Sequence, residues 1–344
     1  MGPNVVLVTG VSRFLGGHLA ARLAANPAID RVLGVDTAQP GPDLLRRMGR
    51  TEFVRADIRN PLIAKVISGA GVDTVVHAAV DQHAGPGGRA TTKEMNVIGT
   101  MQLLAACQKS ELVHKLVVRS TSAVYGASPR DPAVFTEDME PKDLPSSGYA
   151  KDAVEIEGYV RGFGRRRPDV GITALRFCEL VGPHIDVPLT RYFAMPVVPV
   201  VCGYDARLQL LHSEDALAVL ERAALHDLPG VYNVGGDGVL MLSQAIRRAG
   251  RVPLPVPSAA VSPLAGFLRG ARLVDFSPEQ LRYLGFGRAV DTSRLRERFG
   301  YTPRWTTAQA FDDFVRGRGL RPVVDPENVR AVETGVGDLL ARLR

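Results

Sequence analysis

The sequence predicts an α/β chain, a doubly wound parallel sheet followed by a smaller C-terminal α/β domain. Three observations carry that expectation. Short apolar runs alternate with amphipathic stretches through the first half of the 344 residues. The first run stops at a glycine-containing turn that leads straight into a helix pattern. The next two runs end in or beside an acid, at the edge where a parallel sheet meets its ligands.

Val5 to Val8 reads as a buried strand that stops at Thr9-Gly10. Leu15, Leu19 and Leu23, four apart, begin a helix directly afterwards. Strand, turn and helix N-terminus aim backbone N–H groups and a positive dipole end at one spot, which suits a phosphate. The residues presenting it are Gly10, Arg13, Phe14, Leu15 and Gly16. A dinucleotide-binding turn of the Thr-Gly-x-x-Gly-x-x-Gly kind places glycines at 10, 13 and 16, and here position 13 is Arg13. Arg13 either lies along a diphosphate as a charged clamp or partly fills its site.

Arg31 to Asp36 is the second strand. Asp36 follows Gly16 at the spacing where a carboxylate meets the adenosine ribose hydroxyls, which favours NAD over NADP. Phe53 to Arg59 reads as the third strand with Asp57 at its end, and Val72 to Ala79 as the fourth. Residues 91–109 read as one helix, with Met95, Ile98, Leu103 and Ala106 inward, and Leu116 to Ser120 as the fifth strand. Residues 178–205, rich in Pro, Val and Gly, read as loops with short strands. Helices are expected over Asp215 to Ala224 and Leu242 to Ala249. An amphipathic piece, Leu264 to Leu273, is expected to cover the site's mouth, and a tail helix to run from Val329 to Leu343. The predicted organisation is a cofactor domain over 1–177, with 206–236 partly returning to it, a substrate domain over 178–320, and a helical tail over 321–344.

Composition narrows the function. At 45% hydrophobic and 23% charged, the chain can bury a large core. The net charge of +6 comes from 42 basic and 36 acidic residues. Its arginines are scattered over helix patterns, apart from Arg165-Arg166-Arg167 and the Arg316, Arg318 pair, with no interleaved aromatics. Nucleic acid is therefore not an expected partner. Cys107, Cys178 and Cys202 are distant and odd in number, which fits neither a disulfide framework nor a metal site and favours a reducing compartment. The apolar stretch Met195 to Cys202 is broken by Pro196 and Pro199, so no membrane span is expected. The chain enters its first strand at once, leaving no room for a signal peptide, and a cytoplasmic protein is expected.

An ordered series of motifs runs through residues 4–315. It comprises Thr9-Gly10…Gly16, Asp36, Asp57-Ile58-Arg59, His77-Ala78-Ala79, Asn96…Gly99-Thr100 and Ser120-Thr121-Ser122…Val124-Tyr125-Gly126. Leu175-Arg176…Gly182-Pro183, His212…Asp215-Ala216, Gly230…Gly235 and Asp291…Pro303 follow in order. The series resembles the extended short-chain dehydrogenase/reductases, the NAD-dependent epimerase/dehydratase group that includes UDP-glucose 4-epimerase. The resemblance implies a Rossmann-type fold and NAD bound along Gly10, Gly16, Asp36, Asp57, Ile58, Ala78, Ala79 and Asn96. It also implies a small-molecule substrate of the sugar or nucleotide-sugar kind, and a homodimer built through helices 91–109 and 150–166.

The same resemblance exposes a gap. Family members transfer a hydride while a tyrosine carries the hydroxyl proton, aided by a Ser/Thr hydroxyl and by a lysine four residues on that also holds the nicotinamide ribose of the cofactor. Thr121 and Lys151 occupy the hydroxyl and lysine positions, and the tyrosine position holds Ser147. Tyr149 is two residues from Lys151, a rotation of ~200° on a helix, so no regular register supplies both. Either the site works without the pair, or an irregular first turn at Ser146-Ser147-Gly148 swings Tyr149 inward. Ala123 stands where sugar dehydratases of the family carry a glutamate. Glu179 replaces an asparagine that holds the nucleotide-sugar, and its charge opposes a diphosphate. Glu179, Cys178 and His184 are substitute proton donors in one reading and pocket wall in the other, and His212 is read as packing. Two functions follow: an NAD-dependent enzyme on a hydroxyl-bearing molecule with Thr121, Lys151, Tyr149 and Ser147 at its centre, or a nucleotide-binding or regulatory protein that lost the chemistry.

Overall fold

The computed structural model describes residues 2–79, 88–257 and 278–323. The predicted Leu264 to Leu273 piece and the Val329 to Leu343 tail helix lie outside them. Six strands of the first half are β1 (Val5–Thr9), β2 (Arg31–Asp36), β3 (Glu52–Arg55), β4 (Thr74–His77), β5 (Lys115–Thr121) and β6 (Gly171–Phe177). With the later strand Gly230–Val234 they make one seven-stranded sheet, ordered Gly230–Val234, β6, β5, β4, β1, β2, β3. Every neighbouring pair is parallel. The strand order reverses between β1 and β4, which opens a crevice beyond their carboxyl ends.

The apolar runs are continuous because both faces of the sheet are covered. Val6 and Val8 point into one layer with Leu15, Leu19 and Leu23 of α1 (Phe14–Ala25), and Leu7 points into the other. That second layer contains Ile63 and Ile67 of α3 (Ile63–Ala70, which follows the short α2, Pro42–Arg47), together with Leu103 and Cys107 further along. Fully burying each such side chain contributes roughly 1.5–3 kcal/mol, so one β1 residue of each parity commits the strand to its place.

The expected single helix over 91–109 is built in three parts: α4 (Gly88–Lys93), a π-turn (Glu94–Ile98) and α5 (Gly99–Lys109). Its cause lies at Asn96, which is fully buried and donates from Nδ2 to Asp152 of α6 (Gly148–Arg166) at 3.3 Å. The wider turn rotates that polar residue inward, which a straight amphipathic helix does not need to do.

After β6 the chain builds small sheets beside the crevice. Glu179–Val181 pairs with Leu210–His212, Val197–Val201 with Val252–Val256, and Arg207–Leu208 lies between Leu240–Met241 and Gly287–Arg288. The helix Pro278–Phe286 crosses above the start of α6. His212 stacks on Trp305 at 4.2 Å and meets Asp313 at 3.2 Å, a packing role.

Candidate active site

The glycine turn has the geometry a diphosphate needs. Gly10 takes φ +78°, and a Cβ there would stand 2.9 Å from the Cα of Ala79. A Cβ on Gly16 would stand 2.3 Å from the Gly10 carbonyl oxygen, so only glycine lets α1 sit this close to the turn. Arg13 is the N-cap residue of α1, extended at φ −97° and ψ 161°, and exposed. That conformation suits any residue, which is why an arginine replaces the middle glycine without strain. The Arg13 side chain makes no cap hydrogen bond to the first turn of α1, whose N–H groups a helix cannot satisfy from within. Leu15 is core, and Phe14 is half-buried, its ring 4.2 Å from that of His18.

The strand ends complete the cradle. Asp36 accepts hydrogen bonds on Oδ2 from the Ser12 N–H at 2.9 Å and the Ser12 hydroxyl at 2.6 Å, and on Oδ1 from the Thr37 N–H at 2.7 Å. A half-buried carboxylate fixed this way presents its remaining lone pairs to hydroxyl donors, as a ribose offers. Asp57 lies just past β3 and is clasped by Arg59 at 2.6 Å, which holds its carboxyl below the usual range. The Ile58 side chain enters the core. Thr9 Oγ1 and His77 Nδ1 are 2.9 Å apart, His77 Nε2 and Thr100 Oγ1 2.8 Å, and the Ala79 N–H donates to Thr9 Oγ1 at 3.3 Å. Ala78 is buried between them. Burial, reinforced by the charge of Arg119, pushes the His77 imidazole down to about 4. These residues are a structural spine that sets the floor of the crevice.

Beside it lies a pocket of about 140 Å³ whose walls include Ala123, Ser147, Tyr149, Glu179, Glu279 and Tyr283. Its shape starts from Gly148, which takes φ +66° as the first residue of α6. The first turn is irregular, and Ser147 and Tyr149 both face the pocket. The Lys151 N–H donates to the Ser147 carbonyl at 3.3 Å, one turn along, and the lysine side chain is exposed. Thr121 is buried below, accepting from the Ala123 N–H at 3.1 Å as the cap of the following 3-10 turn. Arg288, buried, donates to Ser122 Oγ at 3.2 Å and to the Gly126 carbonyl, and reaches within 4.0 Å of Glu179. Burial pushes the Glu179 carboxyl up, while Arg288 and Arg119 pull it back.

The model of the NAD dependent epimerase/dehydratase family matches residues 6–235. The chain belongs to that family. It is 57% identical to an uncharacterised protein of Mycobacterium tuberculosis, over 96% of this chain and 88% of that one. Among solved structures it resembles UDP-glucuronic acid 4-epimerase from Bacillus cereus in complex with UDP-glucuronic acid and NAD. That match has a TM-score of 0.70 and 20% identity, over 92% of this chain and 99% of that one. It also resembles dTDP-glucose 4,6-dehydratase from Bacillus anthracis in complex with NAD, with a TM-score of 0.69 and 19% identity over 92% and 96%. At these identities the likeness establishes a shared fold.

The structure brings the turn and strand ends that the sequence singled out to one edge of the sheet. Gly10 and Gly16 leave the space, and Asp36 stands ready for a ribose, so these residues fit a dinucleotide. The Asn96 amide donates to Asp152, which Arg89 clamps at 2.7 and 2.6 Å, so it also braces α6. Cys178 is buried with its thiol pushed up to about 12 by burial, and His184 is exposed outside the pocket wall. Sequence reasoning missed Glu279, Tyr283 and Arg288. The hydroxyl of Tyr283 is buried without a hydrogen-bond partner. Nothing local marks these residues, because the fold brings them from far along the chain. Among the described residues no cluster could hold a metal ion, and no helix is long and apolar enough to cross a membrane.

Proposed function

We propose that this chain is an NAD-linked oxidoreductase acting on a hydroxyl-bearing, sugar-like small molecule through a proton-transfer site unlike the usual Tyr–Lys pair. One juxtaposition supports the reading. The glycine turn at Gly10 and the pocket under the first turn of α6 lie at the same edge of the sheet, so a dinucleotide and a small molecule can meet there. NAD, when bound, supplies the hydride acceptor. The chain's own part is to hold the diphosphate on the first turn of α1 and a ribose on Asp36. The latter favours NAD, since a 2′-phosphate would meet the carboxylate. Lys151, one turn along α6 from Ser147, is the cation this reading assigns to the reacting centre.

Solved structures of the same fold hold UDP-glucose or UDP-glucuronic acid, and another is a dTDP-glucose dehydratase, which makes UDP-glucose, UDP-glucuronic acid and dTDP-glucose the natural probes. Calorimetry with NAD and NADP, followed by turnover of those probes, tests the reading. Micromolar NAD binding with turnover that falls in Thr121→Ala and Lys151→Ala is the expected result. The exposed lysine and the serine at the tyrosine position favour a second reading, a nucleotide-binding regulator, and NAD binding without turnover would select it. Absence of nucleotide binding removes both. The proposal includes a cytoplasmic homodimer formed through the helical stretches 91–109 and 150–166, which sedimentation checks.

A further inference from the structure

Ser147 is the N-cap residue of α6, and serine is among the best N-caps, yet its hydroxyl makes no cap hydrogen bond. It donates instead to Oε1 of Glu279, which lies 132 residues further on in the helix Pro278–Phe286. The other carboxylate oxygen, Oε2, is buried and has no hydrogen-bond partner. Both side chains belong to the pocket wall. Gly148 makes the arrangement possible twice over. Its φ of +66° turns the chain, and a Cβ there would stand 2.3 Å from Oε2 and 2.9 Å from the Glu279 carboxyl carbon. An acid in the first turn of a helix is favoured by the dipole. The dipole does not account for a buried bare oxygen, nor for a cap serine diverted to meet the carboxylate.

We infer that Ser147 and Glu279 stand in for the absent tyrosine, Ser147 Oγ meeting the substrate hydroxyl and Glu279 holding its proton. This rests on the oxidoreductase reading. In the oxidising direction the carbinol C–H bond breaks and its hydride goes to the nicotinamide dinucleotide, the oxidant. The substrate O–H proton moves to Ser147 Oγ while the serine's own proton passes to Glu279 Oε1, leaving a carbonyl product and a neutral carboxyl. Reduction runs the same proton back. Ser147 is the residue in contact, and Glu279 acts through it.

The test begins with the full chain free of cofactor. The infrared carboxylate band that Glu279→Gln removes changes frequency in Ser147→Ala, because the hydroxyl donor is lost. Activity is then followed as reduced nicotinamide with NAD and UDP-glucose, UDP-glucuronic acid or dTDP-glucose. Glu279→Gln and Ser147→Ala lower kcat on the order of 10²-fold or more with NAD affinity unchanged, and formate restores part of the loss in Glu279→Ala. Wild-type reduction matched by both variants overturns the relay and leaves the enzyme reading standing. An unmoved infrared band together with a loss that formate leaves untouched makes Glu279 structural. Absence of both NAD reduction and turnover of any of the three probes by the wild type removes the enzyme reading and the relay with it.

Discussion

Gly10 carries two constraints at one position, a left-handed φ of +78° and an Ala79 Cα only 2.9 Å from where a Cβ would sit. Gly10→Ala should abolish NAD binding in calorimetry and cost about 1–3 kcal/mol of stability in urea unfolding. His77 gives a pH signature. Its folded pKa of about 4 lies below the unfolded 6.5, so between those values the unfolded state binds the extra proton. Stability is then full above about 6.5, falls by about 3 kcal/mol as pH drops to 4, and is level below. His77→Gln should flatten that part of the fall in unfolding curves taken across the range. Gly10, Gly16 and Asp36 were legible because their signals are local to one turn and one strand end. Arg13 read as an anomaly only because the sequence does not show that its backbone is extended. Glu279 was illegible for the opposite reason, since its meaning depends on a partner 132 residues away.

α6 is the element on which the site turns, and a buried clasp fixes it to the sheet. Glu157 accepts from Arg176 at 2.9 and 2.6 Å and from Ser120 Oγ at 2.6 Å, all buried. Arg176 also donates to the Tyr125 hydroxyl at 2.8 Å, which in turn donates to Asn233 Oδ1 at 2.8 Å. One helix, three strands of the sheet and the turn after β5 are thereby held in a single register. Removing one partner leaves a buried charge unpaired, so Glu157→Ala should cost about 3–5 kcal/mol in denaturant unfolding. Glu157→Gln combined with Arg176→Met should cost less than Glu157→Ala, because no charge remains to be buried. The strand-and-helix alternation was legible from apolar runs, since a sheet covered on both faces leaves that mark. The π-turn over Glu94–Ile98 was not, because its cause is Asn96 reaching Asp152 on a different helix. The irregular start of α6 was legible only as an alternative, from the Ser-Ser-Gly sequence that permits it.

For the whole molecule, the glycine turn and the pocket draw on residues from Val5 to Arg288, so a bound dinucleotide couples to the stability of most of the described chain. A ligand that binds only the folded state adds RT ln(1 + [L]/Kd), about 2.7 kcal/mol at a hundredfold excess over Kd. NAD at that excess should raise the unfolding free energy by about that amount, and NADP at equal concentration by much less. The expected difference has a single physical origin. The Asp36 carboxylate is held by Ser12 and Thr37, so swinging aside for a 2′-phosphate would break those hydrogen bonds. Asp36→Asn keeps the shape and removes the charge, and should narrow the gap between the two cofactors from the NAD side and the NADP side together. An equal response to both cofactors in the wild type, followed by thermal unfolding with each, would mean that Asp36 serves only to tie Ser12 to the strand end. The arginine at position 13 answers to the same measurement. If its guanidinium clamps the diphosphate, Arg13→Gly weakens the stabilisation by both cofactors alike, and if it fills the crevice, the same change strengthens both.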